Sequence, residues 1–285
     1  MYYHLSQMES ERVTAQKVIL ITGASSGFGY AVAEELLGRG AVVFTAARRM
    51  EKMEPLREKG AMPVAMDVTS DASVADGVSE ILSKQGRLDV LVNNAGYGGY
   101  GMLESVSLDE ARRQFEVNVF GAMRVIRAVL PQMRVQGGGR IVNMSSIVGV
   151  AAMPMVGWYS SSKHALEALT DALRMEVHRF GISLSLIEPG PVKTEFEQVA
   201  LEQLATVNHD PVYRKSVDNF IGNFKKMYAN APEPEVVVRT VVKAVYARRP
   251  KTRYPIGVTG LVGTVKKLLS DRMMDAIWRR VYGVE

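Results

Sequence analysis

The sequence predicts an α/β protein: one doubly wound parallel sheet with helices on both faces. Three observations predict it. Short runs rich in β-branched and apolar residues alternate with longer amphipathic stretches through most of the 285 residues. The short runs are almost continuously apolar, as strands are when both faces of a parallel sheet are covered. A glycine cluster stands between the first run and the first helical stretch, where such a fold turns its first strand into its first helix.

In chain order, KVILIT (17–22) reads as a strand and FGYAVAEELLGRG as a helix ended by glycine. AVVFTA (41–46) is a second strand, followed by a charged helix reaching residue 58. MPVAMD (62–67) is a third, with a helix from 71 to about 84. LDVLVNN (88–94) is a fourth strand, and 107–133 a long helical region. GRIVNMSS (139–146) is a fifth, 159–179 a helix, and ISLSLIEPG (182–190) a sixth. The pattern changes after Pro191. Residues 192–231 mix acidic, aromatic and apolar side chains and read as helical pieces; a helix near 234–247 and a strand in TRYPIG (252–257) complete the sheet. The domain expectation is therefore an arm at 1–16, one Rossmann-type domain over 17–260 with a substrate-side insertion at 192–231, and an amphipathic tail at 261–285. That tail is basic, and is read as packing on its own domain or a partner subunit rather than lying on a membrane.

Composition excludes several function classes. Hydrophobic residues at 47% and charged residues at 23% are ordinary for a globular chain. A net charge of +5 without a dense basic stripe or a recognisable module argues against nucleic acid as partner. With no cysteine there is no disulfide, thiolate chemistry or cysteine-based zinc site, and four scattered histidines give no metal-ligand spacing. The polar opening MYYHLSQMESERVTAQ lacks the apolar centre of a signal peptide, and no apolar run approaches the ~20 residues that span a bilayer. The expectation is a soluble, cytoplasmic protein with no stable membrane insertion.

Two constellations carry chemistry. TGASSGFG (22–29) places Gly23, Gly27 and Gly29 where backbone N–H groups and a helix N-terminus can approach a pyrophosphate. GWYSSSKHALEAL (157–169) puts Tyr159 and Lys163 four apart, on one helical face. A cation beside a phenol favours its ionised form, so the pair suits acid-base work; an ordinary helix start with a solvated lysine has the same spacing. His164 is one position further and points about 100° away, so it reads as a surface or packed histidine.

Taken together, these segments resemble the short-chain dehydrogenase/reductase family, in particular its NADP-preferring carbonyl reductases and hydroxysteroid-type members. TGASSGFG is similar to the family's glycine motif, NNAG (93–96) to its fourth-strand motif, Asn118 in FEVNVFG to its helix asparagine, and YSSSK (159–163) to its Tyr-x-x-x-Lys. PGPVKT (189–194) resembles its Pro-Gly turn, and Ser146, 13 positions before Tyr159, its catalytic serine. The resemblance covers residues 17–194 and runs more loosely to 257. It implies hydride transfer between a nicotinamide cofactor and a carbonyl or alcohol carbon, with Tyr159 as general acid, its pKa lowered by Lys163. It further implies that Lys163 holds the nicotinamide ribose, that Ser146 polarises the substrate oxygen, and that Asn118 holds a water linking Lys163 to solvent; by itself Asn118 also reads as a helix-interior amide filling a backbone bonding gap, and the two readings are compatible. Gly23, Ser25, Ser26, Gly27, Phe28 and Gly29 would cradle the pyrophosphate, Asp67 and Val68 would meet the adenine, and Asn94, Ala95 and Gly96 the adenosine side. Pro189, Gly190, Val192 and Thr194 would position the nicotinamide.

An NAD site carries an acid about ~20 residues after the glycine motif. Here FTAARRM (44–50) puts Ala47 at that position, followed by Arg48 and Arg49. A guanidinium there bonds a 2′-phosphate, which favours NADP(H) over NAD(H), with Arg48 as main contact and Ser25 or Arg49 second; the arginines also read as the start of a solvated helix. GYGGYGM (96–102), VGVAAMPMVGW (148–158) and 195–230, with Phe196, Phe220, Phe224 and Met227, would wall an apolar substrate side. That favours a bulky or hydrophobic ketone, aldehyde or alcohol over a sugar phosphate. The last segment reads equally as a lid or as packing helices. TRYPIGVTGL and the tail are similar to members near the hydroxysteroid and retinoid dehydrogenases. Two alternative functions are a non-catalytic NADP-binding sensor or scaffold and a sugar-nucleotide epimerase or dehydratase. Symmetric association through 107–133 and 159–179, as a homodimer or homotetramer, is what the resemblance implies for partners.

Overall fold

Seven apolar runs pair side by side, all parallel, in the order β3-β2-β1-β4-β5-β6-β7. The computed structural model describes residues 16–194 and 196–282. The strands are β1 (Val18–Thr22), β2 (Val42–Ala47), β3 (Met62–Ala65), β4 (Val90–Asn93), β5 (Gly139–Met144), β6 (Ile182–Pro189) and β7 (Arg253–Ile256). The chain runs outward from β1 to β3, then crosses back to lay β4 on the other side of β1. At that reversal the β1 and β4 exits diverge, opening the crevice where doubly wound sheets bind ligands.

Side chains alternate between the two faces of each strand, which splits the core in two. Ile19, Ile21, Val90 and Val92 face α1 (Gly27–Gly38) and α9 (Glu235–Tyr246), joined by Leu56 of α2 (Glu54–Glu58). Leu20, Leu91 and Ile141 face α3 (Asp71–Gln85) and the helix Ala122–Val135, labelled α5. Each such Leu or Ile is fully buried, a stabilisation of roughly 1.5–3 kcal/mol.

Three stretches shape the site. The long helical region is α4 (Leu108–Phe115) and α5 joined by a π-helical turn over Glu116–Gly121, with Asn118 inside the turn. The helix carrying Tyr159 and Lys163, α6, begins at Gly157 and ends at Val177, with a 3-10 turn over His178–Phe180. Residues after β6 form α7 (Phe196–Thr206) and α8 (Arg214–Ala229), and the tail forms α10 (Thr259–Leu268) and α11 (Asp271–Tyr282). A third apolar cluster, separate from the sheet core, gathers residues of α6, α7, α8 and α11. Of the expected arm at 1–16, residues 1–15 lie outside the described residues. No described helix is long and apolar enough to cross a membrane.

Candidate active site

The glycine turn is shaped by what it touches. Gly23 has φ +65° and Gly27 φ +56°, conformations that a side chain disfavours. A Cβ on Gly23 would lie 2.7 Å from the Ala95 Cα, and one on Gly29 would lie 2.5 Å from the Gly23 carbonyl oxygen and collide with Asn94 Nδ2. The turn is therefore pressed onto the chain leaving β4. Thr22 Oγ1 accepts hydrogen bonds from the Asn94 and Ala95 amides, both 3.1 Å. Asn94 Nδ2 donates to the Thr22 and Gly23 carbonyls, also 3.1 Å each. Gly27 is different: a Cβ there would meet nothing within 4 Å. At this open point α1 begins, with Ser26 making no side-chain cap and no acid in the first turn. Its first N–H groups and positive helix end are thus available to an anion. Phe28 packs its ring against the core.

Beyond β2, Ala47 is buried while Arg48 and Arg49 are exposed, and Arg49 Nη2 donates to Ser25 Oγ at 3.4 Å. Hydrogen bonds from Thr69 N and Oγ1, 2.9 and 2.8 Å, hold the Asp67 carboxyl below its usual range, helped by the charges of Arg48 and Arg124. Val68 lies against Gly121, and its carbonyl accepts from Arg124 Nη1 at 2.6 Å. This set of residues fits the adenosine end of a nicotinamide dinucleotide: two guanidinium groups and a serine follow the buried Ala47 at the β2 exit.

Tyr159 and Lys163 come together at the β5 exit, 8% and 6% exposed. The Lys163 ammonium donates to the Met144 carbonyl at 2.7 Å and lies 5.9 Å from the Tyr159 ring centroid. Ser146 hydrogen-bonds Tyr159, and its own Oγ accepts from Val148 N at 3.3 Å, fixing the turn after β5. The titration of the pair differs from expectation. Burial pushes the Tyr159 phenol up to about 12, opposed only by the Ser146 bond. Burial also lowers Lys163 to about 8, opposed by the Glu167 carboxylate. Removing both groups from water outweighs their proximity. Behind Lys163, Arg253 holds three acids: Asp171 at 2.6 Å, Glu167 at 3.1 Å and Glu188, from Nε, at 3.1 Å. Burial raises Glu188 to about 7, with Glu167 adding to the shift.

Asn118 fills a bonding gap, but not in its own helix. Its Oδ1 accepts from Tyr97 N at 3.0 Å, and its Nδ2 donates to the Tyr97 carbonyl at 2.8 Å and to Ser162 Oγ at 3.1 Å. The amide thus ties the loop after β4 to α6, leaving one Oδ1 lone pair for a water. A Cβ on Gly96 would sit 2.9 Å from Asn118 Oδ1 and 3.6 Å from Lys163 Nζ, so glycine permits that approach. His164 bonds the Ser160 carbonyl one turn back, at 2.9 Å, and takes no part in the site. Pro189 ends β6, and Gly190 N donates to the Ile256 carbonyl at 3.2 Å. The Val192 side chain is buried in the core facing α1, and the Thr194 carbonyl accepts from Glu197 N at the start of α7.

Over Tyr159 lies a roof of rings. Tyr100 is 6.3 Å from Tyr159, 5.4 Å from Phe224 edge-on and 6.2 Å from Phe220, centroid to centroid. Phe220 stacks on Phe224 and on Tyr282, both at 5.5 Å, and Tyr228 lies 4.6 Å from Phe224. Among the expected wall residues, Phe220 and Phe224 belong to this roof; Met227 is 36% exposed and does not, and the Phe196 side chain is outside the described set. Tyr228 and Tyr282 were not foreseen. Tyr228 has a signal in the sequence, since 220, 224 and 228 lie four apart on one face of α8. Tyr282 has none, because it comes from the far end of the chain.

The chain is similar to known proteins in sequence and in fold. A family model described as short chain dehydrogenase matches residues 17–205. The chain is 37% identical over 275 residues to the 3-ketodihydrosphingosine reductase of Bacteroides thetaiotaomicron, covering 94% of this chain and 98% of that one. It is 34% identical over 272 residues to an NADPH-dependent 3-dehydrocapnine reductase of Ornithobacterium rhinotracheale, covering 91% and 95%. Among solved structures, a short-chain dehydrogenase from Streptomyces avermitilis superimposes with a TM-score of 0.79 at 33% identity, over 94% of this chain and 97% of the other.

Proposed function

Because the chain belongs to the short-chain dehydrogenase/reductase family, we propose that this oxidoreductase uses NADP(H) to interconvert an apolar or bulky ketone or aldehyde and its alcohol. The observation that carries the reading is Tyr159, hydrogen-bonded to Ser146 and beside Lys163, buried where the crevice meets the roof of rings.

The turn at Gly23, Ser25, Ser26, Gly27, Phe28 and Gly29 would hold the pyrophosphate on the α1 N-terminus. Arg48, with Arg49 and Ser25, would hold the 2′-phosphate. Asp67, Val68, Asn94, Ala95 and Gly96 would line the adenosine, and Pro189, Gly190, Val192 and Thr194 the nicotinamide end. When bound, the cofactor supplies or accepts the hydride. Tyr159 acts on the substrate oxygen. With its pKa near 12 it is a neutral phenol at physiological pH, the form that can give a proton to a carbonyl oxygen as negative charge develops. Ser146 steadies that hydroxyl and offers a second hydrogen bond at the same oxygen. Lys163 stays cationic below about 8 and would hold the nicotinamide ribose. Asn118 keeps the loop after β4 against α6 and so fixes the position of Lys163. The roof presents mostly ring faces, which suit a hydrophobic substrate and exclude water around it. Both named reductases point the same way for substrate class, and one of them for the cofactor.

The test is the fall in NADPH absorbance with a panel of apolar ketones and aldehydes, repeated with Tyr159→Phe. That variant is expected to bind NADPH normally and lose about 10²–10⁴-fold in turnover. Wild-type rates from Tyr159→Phe would remove the phenol from the mechanism.

A further inference from the structure

The last two helices carry more apolar surface than their own packing uses. Six of the seventeen exposed large apolar side chains among the described residues fall between 258 and 281, which makes this stretch the densest such patch. Helix α11 has two apolar stripes, each with a spacing of four. Met274, Trp278 and Tyr282 face inward, with Met274 and Tyr282 buried and Trp278 packed on the roof cluster. Met273, Ile277 and Val281 form the second stripe and are 53%, 39% and 45% exposed. On α10, Leu261 and Leu268 lie seven apart on one face, 66% and 78% exposed. The same two helices bear Lys266, Lys267, Arg272, Arg279 and Arg280 against only Asp271 and Asp275.

Against the sequence expectation that this tail packs only on protein, we propose that the outward stripes of α10 and α11 dock on an anionic lipid bilayer, on which the protein rests peripherally. Aliphatic stripes beside cations are the pattern of a helix lying in a membrane interface, where both terms add. Charge favours this occupant over a second copy of the chain: five cations against two acids leave these helices net positive, which attracts anionic headgroups and repels a like surface. The inner stripe of α11 links the surface to the site: Tyr282 stacks on Phe220, Asn223 Nδ2 of α8 donates to the Val281 carbonyl at 2.6 Å, and Tyr282 OH donates to Met153 Sδ at 3.1 Å. The bilayer would then lie against the helix that roofs Tyr159, so an apolar substrate could pass from lipid to site without crossing water. This last step rests on the proposed reading of the substrate; the docking itself does not.

The experiment is co-sedimentation of the full chain with phosphatidylglycerol–phosphatidylcholine vesicles and with pure phosphatidylcholine vesicles, at low and high salt. At low salt, binding to the anionic vesicles is expected to be at least about tenfold tighter. The preference should fall away in high salt, in Arg279→Glu/Arg280→Glu, and in Ile277→Asp. Leu268→Asp, on the other helix, should weaken binding independently. All three variants should keep wild-type melting temperature and turnover of a water-soluble ketone. Equal binding to both vesicle types, binding indifferent to these variants, or a change in sedimentation coefficient with Ile277→Asp without vesicle binding would overturn the proposal, the last in favour of a self-association surface. Because sedimentation needs no turnover, a chain inactive on every ketone would defeat the functional reading and leave this test standing.

Discussion

From Thr22 to Gly29 the chain is held by backbone: two glycines at positive φ, and a third whose missing Cβ lets the turn meet the Gly23 carbonyl and Asn94. Over Tyr159 the structure is held by rings from α8, α11 and the loop after β4, which touch one another through apolar area. At Gly23 and Gly29 the first region tolerates almost no added atom, because main chain and the Asn94 amide stand in the way. The second is a packing problem with several solutions of equal volume. One half of the crevice is thus specified by local backbone geometry, the other by distant side chains. Substitutions should separate the two halves cleanly.

The largest separation comes from Gly29→Ala. The added methyl would stand 2.5 Å from a carbonyl oxygen, so the turn has to move. Overpacking of this kind costs about 1–3 kcal/mol, and NADPH affinity, read by fluorescence titration, should fall by roughly ten- to a hundredfold. The roof should be untouched. Unchanged NADPH affinity would show that the cradle is not where the cofactor sits. Arg48→Asp acts on the same half with an effect of similar size. Exchanging a charge-assisted bond of about 1.5–3 kcal/mol for repulsion should shift the NADPH-over-NADH affinity ratio by at least about tenfold, toward NADH. A protein that kept its ratio would return Arg48 to the role of a solvated helix start.

Between the halves lie Tyr159 and Lys163, and pH reports on both. Lys163 is lowered to about 8 because burial penalises its charge, so the ammonium is complete below that value and is lost as pH rises through it. Tyr159, raised to about 12, keeps its proton over the same range. For carbonyl reduction, kcat/KM, which follows the free enzyme, should be level on the acid side and fall about tenfold per pH unit above about 8. A level profile to pH 10 would mean that the Lys163 charge does not matter to the reaction.

How much of this could be read from the residues follows the same division. The glycine turn, the Asn94 loop and the Tyr159–Lys163 spacing are short-range patterns whose geometry depends on few neighbours, and the sheet follows from apolar runs alternating with helices. Burial is not encoded in spacing. A phenol and an ammonium four apart suggest a lowered phenol pKa, whereas burial pushes Tyr159 up and Lys163 down. Asn118 was readable as an amide filling a gap, but its partner, Tyr97, lies 21 positions earlier, beyond any periodic signal. The roof was partly legible where its members share one helix, as Phe220, Phe224 and Tyr228 do. It was illegible where the chain folds back from its far end, as at Tyr282.

Tyr282→Phe gives the smallest expected effect and the finest test of the contrast. Tyr282 is 5% exposed, stacks on Phe220 at 5.5 Å, and spends its hydroxyl on Met153 Sδ at 3.1 Å. Sulfur is a weak acceptor, so removing the hydroxyl forfeits little, while the ring and its stacking remain. Thermal unfolding should change by less than about 1 kcal/mol, KM for an apolar ketone by less than about twofold, and NADPH affinity not at all. If the roof works through ring area, this substitution is nearly silent although it touches the centre of the cluster. A tenfold rise in KM from Tyr282→Phe would instead mark that hydroxyl as a polar handle on the substrate, and the roof could no longer be treated as shape alone.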